Sequence, residues 1–215
     1  MNRYSIVIIA GLFTAFLLIV TVSFAGEKAV TNSLHHQVNF SKNQLPLKNN
    51  EMTTDTLNMI TTRIFDAAPE QVWKAWSNED LVKQWWGPKG FTCPVAKMSF
   101  REGGVSLVCM RTPKEYGGQD MYNTWTYQKI VPMERIEYIL NFTDKDGNKL
   151  DPAAIGMPAG IPKDVPHIIS FKDLGNNRTE VTVAEYGYTS PEVVKLSRSG
   201  MEECLDKMAE ALAKR

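Results

Sequence analysis

Two polar residues, His167 and Glu185, are the sharpest candidates for chemistry in this sequence. Alternation along a predicted strand at 165–171 places His167 on the same face as Phe171, and Glu185 shares a face of the next strand with Val181. These apolar neighbours mark the shared face as interior. An imidazole and a carboxylate on an apolar wall could orient the polar end of a ligand or act as an acid/base pair with shifted pKa values. The alternative is that each side chain lies at a strand end, hydrogen-bonded or solvated at the rim.

The standard signatures of catalysis and cofactor binding are absent from the chain, which has no GxSxG elbow, HExxH helix, Walker phosphate loop or GxGxxG turn. His167 is the only one of the three histidines in the predicted folded region, so a multi-histidine metal site is excluded and neither a metal nor a cofactor is predicted. Cys93, Cys109 and Cys204 fall on separate predicted elements. They are expected to act as small hydrophobic residues of the core. The alternative is that two of them form one disulfide in an oxidising compartment.

Composition and charge limit the class of protein. The chain has 215 residues, of which 43% are hydrophobic, and 24 basic residues balance 24 acidic ones. This is enough apolar material for one globular domain with an appendage, and it is not the composition of a disordered tail. Balanced charge lacks the basic excess of a nucleic-acid binder, so a nucleic-acid partner is excluded.

The N-terminal segment has the composition of a membrane-directed leader. Residues 6–25 carry no charge and are largely apolar, and about 20 such residues suffice to span a bilayer. Ser23-Phe24-Ala25 also forms a small-x-small boundary of the type that signal peptidase cuts. Residues 1–25 are therefore predicted to be either a signal peptide or an N-terminal membrane anchor. Arg3, which precedes the apolar segment, is positively charged and favours the cytoplasmic side of the membrane. The rest of the chain is therefore expected to lie in the cell envelope or to be secreted.

The remaining chain divides into a polar flexible linker at 26–56 and one folded domain at 57–215. In the domain, a first strand and two short helices precede a run of antiparallel strands, and a long C-terminal helix follows, which Gly200 is expected to bend or break. This order predicts an α+β fold in which a curved sheet of about seven strands wraps the C-terminal helix. The predicted elements are a strand at 57–66, helices at 69–76 and 78–86, strands at 91–101, 105–111, 121–131, 135–142, 165–172 and 178–186, and a helical region from 190 onward.

Several short strings, in this order, resemble the heat-shock protein 90 ATPase activator-like family of the START/SRPBCC superfamily, which also contains polyketide cyclase-like proteins. The resemblance covers residues 57–215 and implies a helix-grip fold around an interior cavity. The strings are Ala68-Pro69-Glu70-x-Val72-Trp73-x-Ala75-Trp76, Asn78-Glu79-Asp80-Leu81, Gln84-Trp85-Trp86-Gly87-Pro88-x-Gly90-Phe91, Arg101-Glu102-Gly103-Gly104, Val131-Pro132-x-Glu134-Arg135 and Gly200-Met201-Glu202-Glu203-x-Leu205.

A cavity of this kind would lie between the sheet and the C-terminal helix. The Trp85-Trp86 pair either contacts a ligand or plugs one end of the sheet, and the apolar loop at 144–164 is expected to cover the cavity mouth, unless it packs on the outer face of the sheet. The residues predicted to bind the ligand are Trp85, Trp86, Phe91, Phe142, Met157, His167, Ile169, Phe171, Val183, Glu185, Met201, Leu205 and Met208.

The function predicted from these features is the binding of a small hydrophobic or amphipathic ligand by an exported carrier or sensor domain. One alternative is an enzyme of cyclase or hydrolase type that uses His167 and Glu185 as acid and base. A second alternative, implied by the resemblance, is a chaperone-partner module of the ATPase-activator type. The membrane would be a further partner if the leader stays uncleaved, and no protein partner is identified.

Overall fold

The computed structural model describes residues 56–214, which form one seven-stranded antiparallel sheet and three α-helices. The leader at 1–25 and the linker up to residue 55 lie outside the described residues. The elements are β1 (Leu57–Phe65), α1 (Pro69–Ser77), α2 (Glu79–Trp85), β2 (Thr92–Lys97), β3 (Val105–Arg111), β4 (Asp120–Val131), β5 (Arg135–Thr143), β6 (Val165–Gly175), β7 (Arg178–Tyr188) and α3 (Pro191–Ala213).

The sheet has the strand order β1-β7-β6-β5-β4-β3-β2, so every strand after β1 lies beside its neighbour in sequence. β1 closes this meander by pairing with β7, which leaves β1 and β2 as the two edges. All neighbouring strands are antiparallel, and the long α3 lies against the sheet's interior face. The predicted helix-grip architecture is confirmed.

Local capping explains where the helices begin. Pro69 opens α1, where its missing N–H costs nothing, and the side chain of Gln71 accepts the N–H of Ala68 at 3.1 Å. Asn78 starts α2 by accepting the N–H of Leu81 at 3.1 Å. Ser190 caps α3 in the same way, since its hydroxyl accepts the N–H of the residue three positions later.

Two elements have limits that differ from those expected. α3 runs without a break through Gly200, where a bend or a break was expected. One glycine costs a helix interior only about 1 kcal/mol, which packing of the flanking turns offsets, and Gly200 itself lies against Pro88. The strand predicted at 91–101 is confined to Thr92–Lys97, because beyond it the N–H of Ser99 donates to the hydroxyl of Ser106 on β3 and not to a backbone carbonyl of that strand.

The core lies between the interior face of the sheet and the helices. α3 contributes one apolar face, as its periodicity predicts, and α1 and α2 contribute tryptophans. Within residues 56–214, no helix combines the length and the apolar character that a membrane crossing requires. The buried residues of α3 are Val193, Met201, Cys204, Leu205 and Met208.

Candidate functional site: an apolar cavity with one buried polar cluster

A cavity of about 680 Å³ lies between α3 and the sheet. Its walls come from the turn after α2, from the interior faces of β3 to β7, from the loop before β6, and from the first half of α3. Most of the lining is apolar, as illustrated by Leu140, Met121 and Val193. The polar groups of the lining are therefore the features that would orient a bound molecule.

The structure separates the thirteen residues that the sequence singles out into two groups. Seven line the cavity: Trp86, Phe91, Phe142, Met157, His167, Glu185 and Met201. The other six are absent from the lining and lie in the solid core: Trp85, Ile169, Phe171, Val183, Leu205 and Met208.

The position along each strand decides which group a residue joins. Val165 and His167, at the start of β6, line the cavity, whereas Ile169 and Phe171 on the same face do not. Farther along this face the space is taken by α1, whose Trp73 ring packs against Phe171 with centroids 5.1 Å apart. The alternation of side chains along β6 correctly predicts which residues face the interior. The extent of the empty space depends instead on which side chains pack against that face.

Two adjacent tryptophans have different roles. The indole of Trp85 is fully buried and donates to the carbonyl of Ala75 at 2.8 Å, so it serves the core. Trp86 lines the cavity, and its indole N–H donates to Oδ1 of Asn123 at 3.3 Å. Of the pair, only Trp86 therefore lies where a molecule in the cavity would contact it.

His167 and Glu185 face each other across β6 and β7, with Nε2 of the imidazole 3.3 Å from Oε1 of the carboxylate. Each residue is only 3% exposed, which places the pair inside the domain rather than at a solvated rim. Oε2 of Glu185 accepts hydrogen bonds from the hydroxyls of Tyr188 and Ser197. We call these four residues the polar cluster, and all four line the cavity.

The hydrogen bonds of His167 fix how the cluster carries its protons. Nδ1 lies 2.9 Å from the carbonyl oxygen of Val165, which can only accept, so Nδ1 holds a hydrogen. Nε2 faces a carboxylate oxygen, and this contact also needs a proton between the two atoms. Burial opposes ionisation of Glu185, but the charge and hydrogen bond of His167 together with the two hydroxyls hold the pKa of Glu185 below its usual value. Glu185 is therefore a carboxylate, and its two oxygens accept the hydrogens of the cluster.

Tyr138 extends the cluster across the sheet. Its ring stacks on the His167 imidazole with centroids 4.7 Å apart and planes at 17°. Its hydroxyl has no hydrogen-bond partner among the described residues, and burial, with the nearby carboxylate of Glu185, raises its pKa well above the usual value. The stacked ring holds the imidazole in place and does not itself line the cavity.

The geometry does not provide an activated nucleophile. The hydroxyl of Ser197 donates to Glu185, not to the imidazole, so the serine–histidine contact that would remove the serine proton is not made. All three cysteines are free and buried, and burial raises the pKa of Cys204 to about 12. Thiols with such a pKa are unreactive at neutral pH. Among residues 56–214, no cluster of three or more His, Cys, Asp or Glu is arranged to hold a metal ion.

The loop between β5 and β6 forms part of the cavity wall. Met157, Pro158 and Ile161 line the cavity, and the carbonyl of Gly160 accepts the N–H of Thr189 at 3.0 Å, just before α3. This is the cavity-facing arrangement of the two that the sequence allows. The loop is tied to the junction of β7 and α3, which also carries the polar cluster.

Sequence reasoning missed Ser197, Tyr188 and Asn123. Helical spacing would have found Ser197, which precedes Met201 by four positions on the buried face of α3. Alternation along β4 would have found Asn123, which shares an interior face with Trp125. No simple pattern identifies Tyr188, because the strand is irregular there.

A second missed feature is Lys207, which joins α3 to the turn after α2. Its ammonium donates to the carbonyls of Gly87 at 2.7 Å and Phe91 at 2.9 Å. Burial lowers the pKa of this lysine. In the same turn, the backbone N–H of Lys89 donates to Oε2 of Glu203 at 2.9 Å, so two residues of α3 fix one wall of the cavity by hydrogen bonds.

Residues 66–213 match the sequence profile of the family described as activator of Hsp90 ATPase homolog 1-like protein. No curated protein matches the chain.

Solved structures share the fold at low identity. A protein from Chromobacterium violaceum is 22% identical, with a TM-score of 0.59 over 72% of this chain and 96% of its own. A protein from Arthrobacter aurescens is also 22% identical, with a TM-score of 0.61 over 74% and 87% of the two chains. A protein from Silicibacter pomeroyi, named for the same family, is 18% identical, with a TM-score of 0.58 over 73% and 98%.

Proposed function

Because the chain belongs to the family of activator of Hsp90 ATPase homolog 1-like proteins, we propose that its helix-grip domain binds a small apolar or amphipathic molecule inside the cavity. The observation that carries this proposal is the cavity itself, with about 680 Å³ of largely apolar-walled space and the His167–Glu185 pair buried in its wall. This volume lies within the range of roughly 300–1,000 Å³ typical of ligand pockets.

The apolar walls favour an apolar occupant. The cavity is open to solvent on one side, where the exposed Lys89 lies, so a molecule can enter it. Water is a poor filling for walls made of methionine, leucine and phenylalanine, because it finds few hydrogen-bond partners there. An apolar molecule with one polar end fits both the walls and the polar cluster.

We further propose that this binding takes place outside the cytoplasm, as a carrier or sensor. The support is the apolar leader at residues 6–25. A periplasmic or extracellular reporter enzyme fused after Thr56 tests the location. Cytoplasmic retention of the soluble fusion would remove this part of the proposal and leave ligand binding untouched.

One observation favours a second candidate, an ATPase-activating partner module, namely the description of the family itself. Stimulation of a chaperone ATPase by the purified chain would support it. The enzymatic alternative is less favoured, since the His167–Glu185 pair is saturated with internal hydrogen bonds and no reactive side chain accompanies it.

A matched pair of substitutions tests ligand binding. Val165 and Val183 are both buried on the interior face of adjacent strands, but only Val165 lines the cavity. Val165→Phe in the full chain should fill part of the cavity with little loss of stability and abolish binding of a neutral fluorescent probe, N-phenyl-1-naphthylamine. Val183→Phe should instead overpack the core and cost about 1–3 kcal/mol.

Probe binding is measured by fluorescence titration and stability by denaturant unfolding. Native mass spectrometry of the full chain adds a direct search for a molecule that co-purifies. If the parent protein binds no probe, and Val165→Phe destabilises it as much as Val183→Phe does, the space is ordinary core and the proposal is wrong.

A further inference from the structure

Three contacts of the polar cluster converge on one carboxylate. Tyr188 and Ser197 both donate to Oε2 of Glu185, and Nε2 of His167 faces Oε1 at 3.3 Å. The remaining imidazole hydrogen is on Nδ1 and bonds the carbonyl of Val165 at 2.9 Å. A hydroxyl has one hydrogen and two lone pairs, so the two hydroxyls are left with lone pairs alone. Toward the cavity, the cluster therefore offers hydrogen-bond acceptors and no free donor.

A free buried cation is missing from the lining as well. Among the described residues that line the cavity, the ionisable side chains with basic groups are Lys89 and His167. Lys89 is exposed, and its own N–H is bonded to the acidic Glu203, so an ion pair there would be screened by water. The ammonium of Lys207 is close by but already donates to the carbonyl oxygens of the turn.

A donor does exist elsewhere on the wall, at Asn123. Its Oδ1 accepts the indole N–H of Trp86, which can only donate, so this contact fixes which way the amide points. Its NH₂ group makes no hydrogen bond to the protein within residues 56–214, although the residue is only 3% exposed. Asn123 lies on β4, three strands from Glu185 on β7 in the sheet. A ligand oxygen distant from the cluster can therefore accept a hydrogen bond here.

Resting on the proposed ligand-binding function, we propose that the cavity takes uncharged amphipathic molecules whose polar end is a hydroxyl, and that it rejects the carboxylate of the same chain length. The hydroxyl oxygens of Ser197 and Tyr188 lie 3.0 Å apart, and the hydrogens of both are already used inside the cluster. A ligand hydroxyl brings a hydrogen that their remaining lone pairs can accept. A carboxylate brings a second negative charge next to Glu185 and no hydrogen, in a site where water cannot shield the repulsion. The specificity thus arises from the direction of the hydrogen bonds inside the cluster.

The test compares 1-dodecanol with dodecanoate, which differ in the polar end and share the chain. Each compound is titrated against N-phenyl-1-naphthylamine bound to the full chain in lipid nanodiscs, and displacement of the probe is followed by fluorescence. The titrations are made at about pH 8, where a carboxylic acid is ionised. Empty nanodiscs give the blank for partition into lipid. We expect 1-dodecanol to bind at least about tenfold more tightly than dodecanoate.

Glu185→Gln sharpens the comparison, because a carboxamide removes the charge and donates to Ser197 or Tyr188, so that their own hydrogens can turn toward the cavity. In this variant the preference for the alcohol should shrink to about threefold or less. Phe142→Leu is the matched control, since Phe142 lines the cavity without a polar group. This substitution should weaken the binding of 1-dodecanol and of dodecanoate by the same factor. Circular dichroism checks that each variant is folded, and the wild-type comparison decides the matter even if Glu185→Gln does not fold.

The two proposals fail in different ways. If N-phenyl-1-naphthylamine itself does not bind, the ligand-binding function is wrong. If it binds and dodecanoate displaces it as well as 1-dodecanol does, the cavity function stands and the inferred preference for a hydroxyl is overturned. Equal preferences in wild type and Glu185→Gln would also overturn the role assigned to the cluster.

Discussion

The space between the sheet and α3 has one half filled with aromatic rings and another half left open. In the filled half, the centroids of Trp76 and Trp85 are 4.8 Å apart, and Trp125 stacks on Tyr138 at 5.1 Å. In the open half, flexible side chains such as Met110, together with rings such as Phe142, surround about 680 Å³ of space. Trp86 marks the boundary, because it packs on Trp125 at 4.7 Å and also lines the cavity.

This difference assigns stability to one half of the domain and the proposed ligand binding to the other. Rigid rings that interlock at edge and face angles specify one packing arrangement and carry stability. Methionine adapts its shape at little cost, and four of these residues line the open half, which suits contact with ligands of variable shape. We expect substitutions in the filled half to affect unfolding and substitutions in the open half to affect binding. The four methionines are Met110, Met121, Met157 and Met201.

The largest effect should come from Trp85→Ala. This side chain is fully buried and its indole hydrogen bond to Ala75 would be lost, so the free energy of unfolding should fall by about 3–5 kcal/mol. Phe142→Ala should cost about 1–2 kcal/mol, because it enlarges a space that already exists, and it should weaken probe binding. Urea unfolding of both variants is the measurement, and equal losses of stability would break the comparison.

The polar cluster should show the next largest effect. His167→Ala leaves the carboxylate of Glu185 buried without its partner, which should cost about 3 kcal/mol. Replacing both residues by leucine removes the charge together with its partner and should be less destabilising than the single change. Unfolding of the single and double variants measures this. A double variant less stable than His167→Ala would show that the ion pair stabilises the fold in its own right.

A smaller effect is expected in the loop that covers the cavity. The backbone of Gly160 has a φ of +105°, and a Cβ there would lie 2.8 Å from Cβ of Ser190. Gly160→Ala should cost about 1–2 kcal/mol and speed probe release several-fold by displacing the loop. Gly118 also has a positive φ but open space around it, so Gly118→Ala is the control for backbone strain alone. Stopped-flow release rates that are unchanged by Gly160→Ala would mean that the loop does not gate the cavity.

The smallest effect concerns pH. Because the folded pKa of Glu185 is lowered from its ordinary value of 4.5, the carboxylate contributes stability that is present above pH 4.5 and lost as the pH falls through the folded pKa. The stability difference between wild type and Glu185→Gln should therefore shrink on acidification below pH 4.5. Urea unfolding across this range measures it. A difference that stays constant with pH would contradict the assigned ionisation of Glu185.

The sequence predicts the elements of this domain and one part of its site. Alternation in two strands is sufficient to place His167 and Glu185 on one interior face, and the apolar period of α3 identifies the helix face that packs there. Both signals are local, since they depend on neighbours two to four residues away. The family resemblance adds the way in which the sheet and the helix combine.

The limits of the cavity are beyond such local signals. Val165 and Val183 are both valines on the interior face of neighbouring strands, yet one lines the space and the other does not. The difference arises from distant packing, such as Trp73 against Phe171, which closes that end of the face. Gly200 is a similar case, because tertiary contacts override its weak helix propensity.

The pairing of β1 with β7 has a consequence for how the chain folds. The hydroxyls of Thr62 and Thr182 lie 2.9 Å apart across this pair, although the residues are 120 positions apart in sequence. Arg198 of the last helix also donates to the carbonyl of Ile60 at 2.6 Å. The first strand therefore remains without partners during translation until the end of the domain has been made. Such high contact order predicts folding in roughly milliseconds to seconds, with closure of the cavity among the last steps.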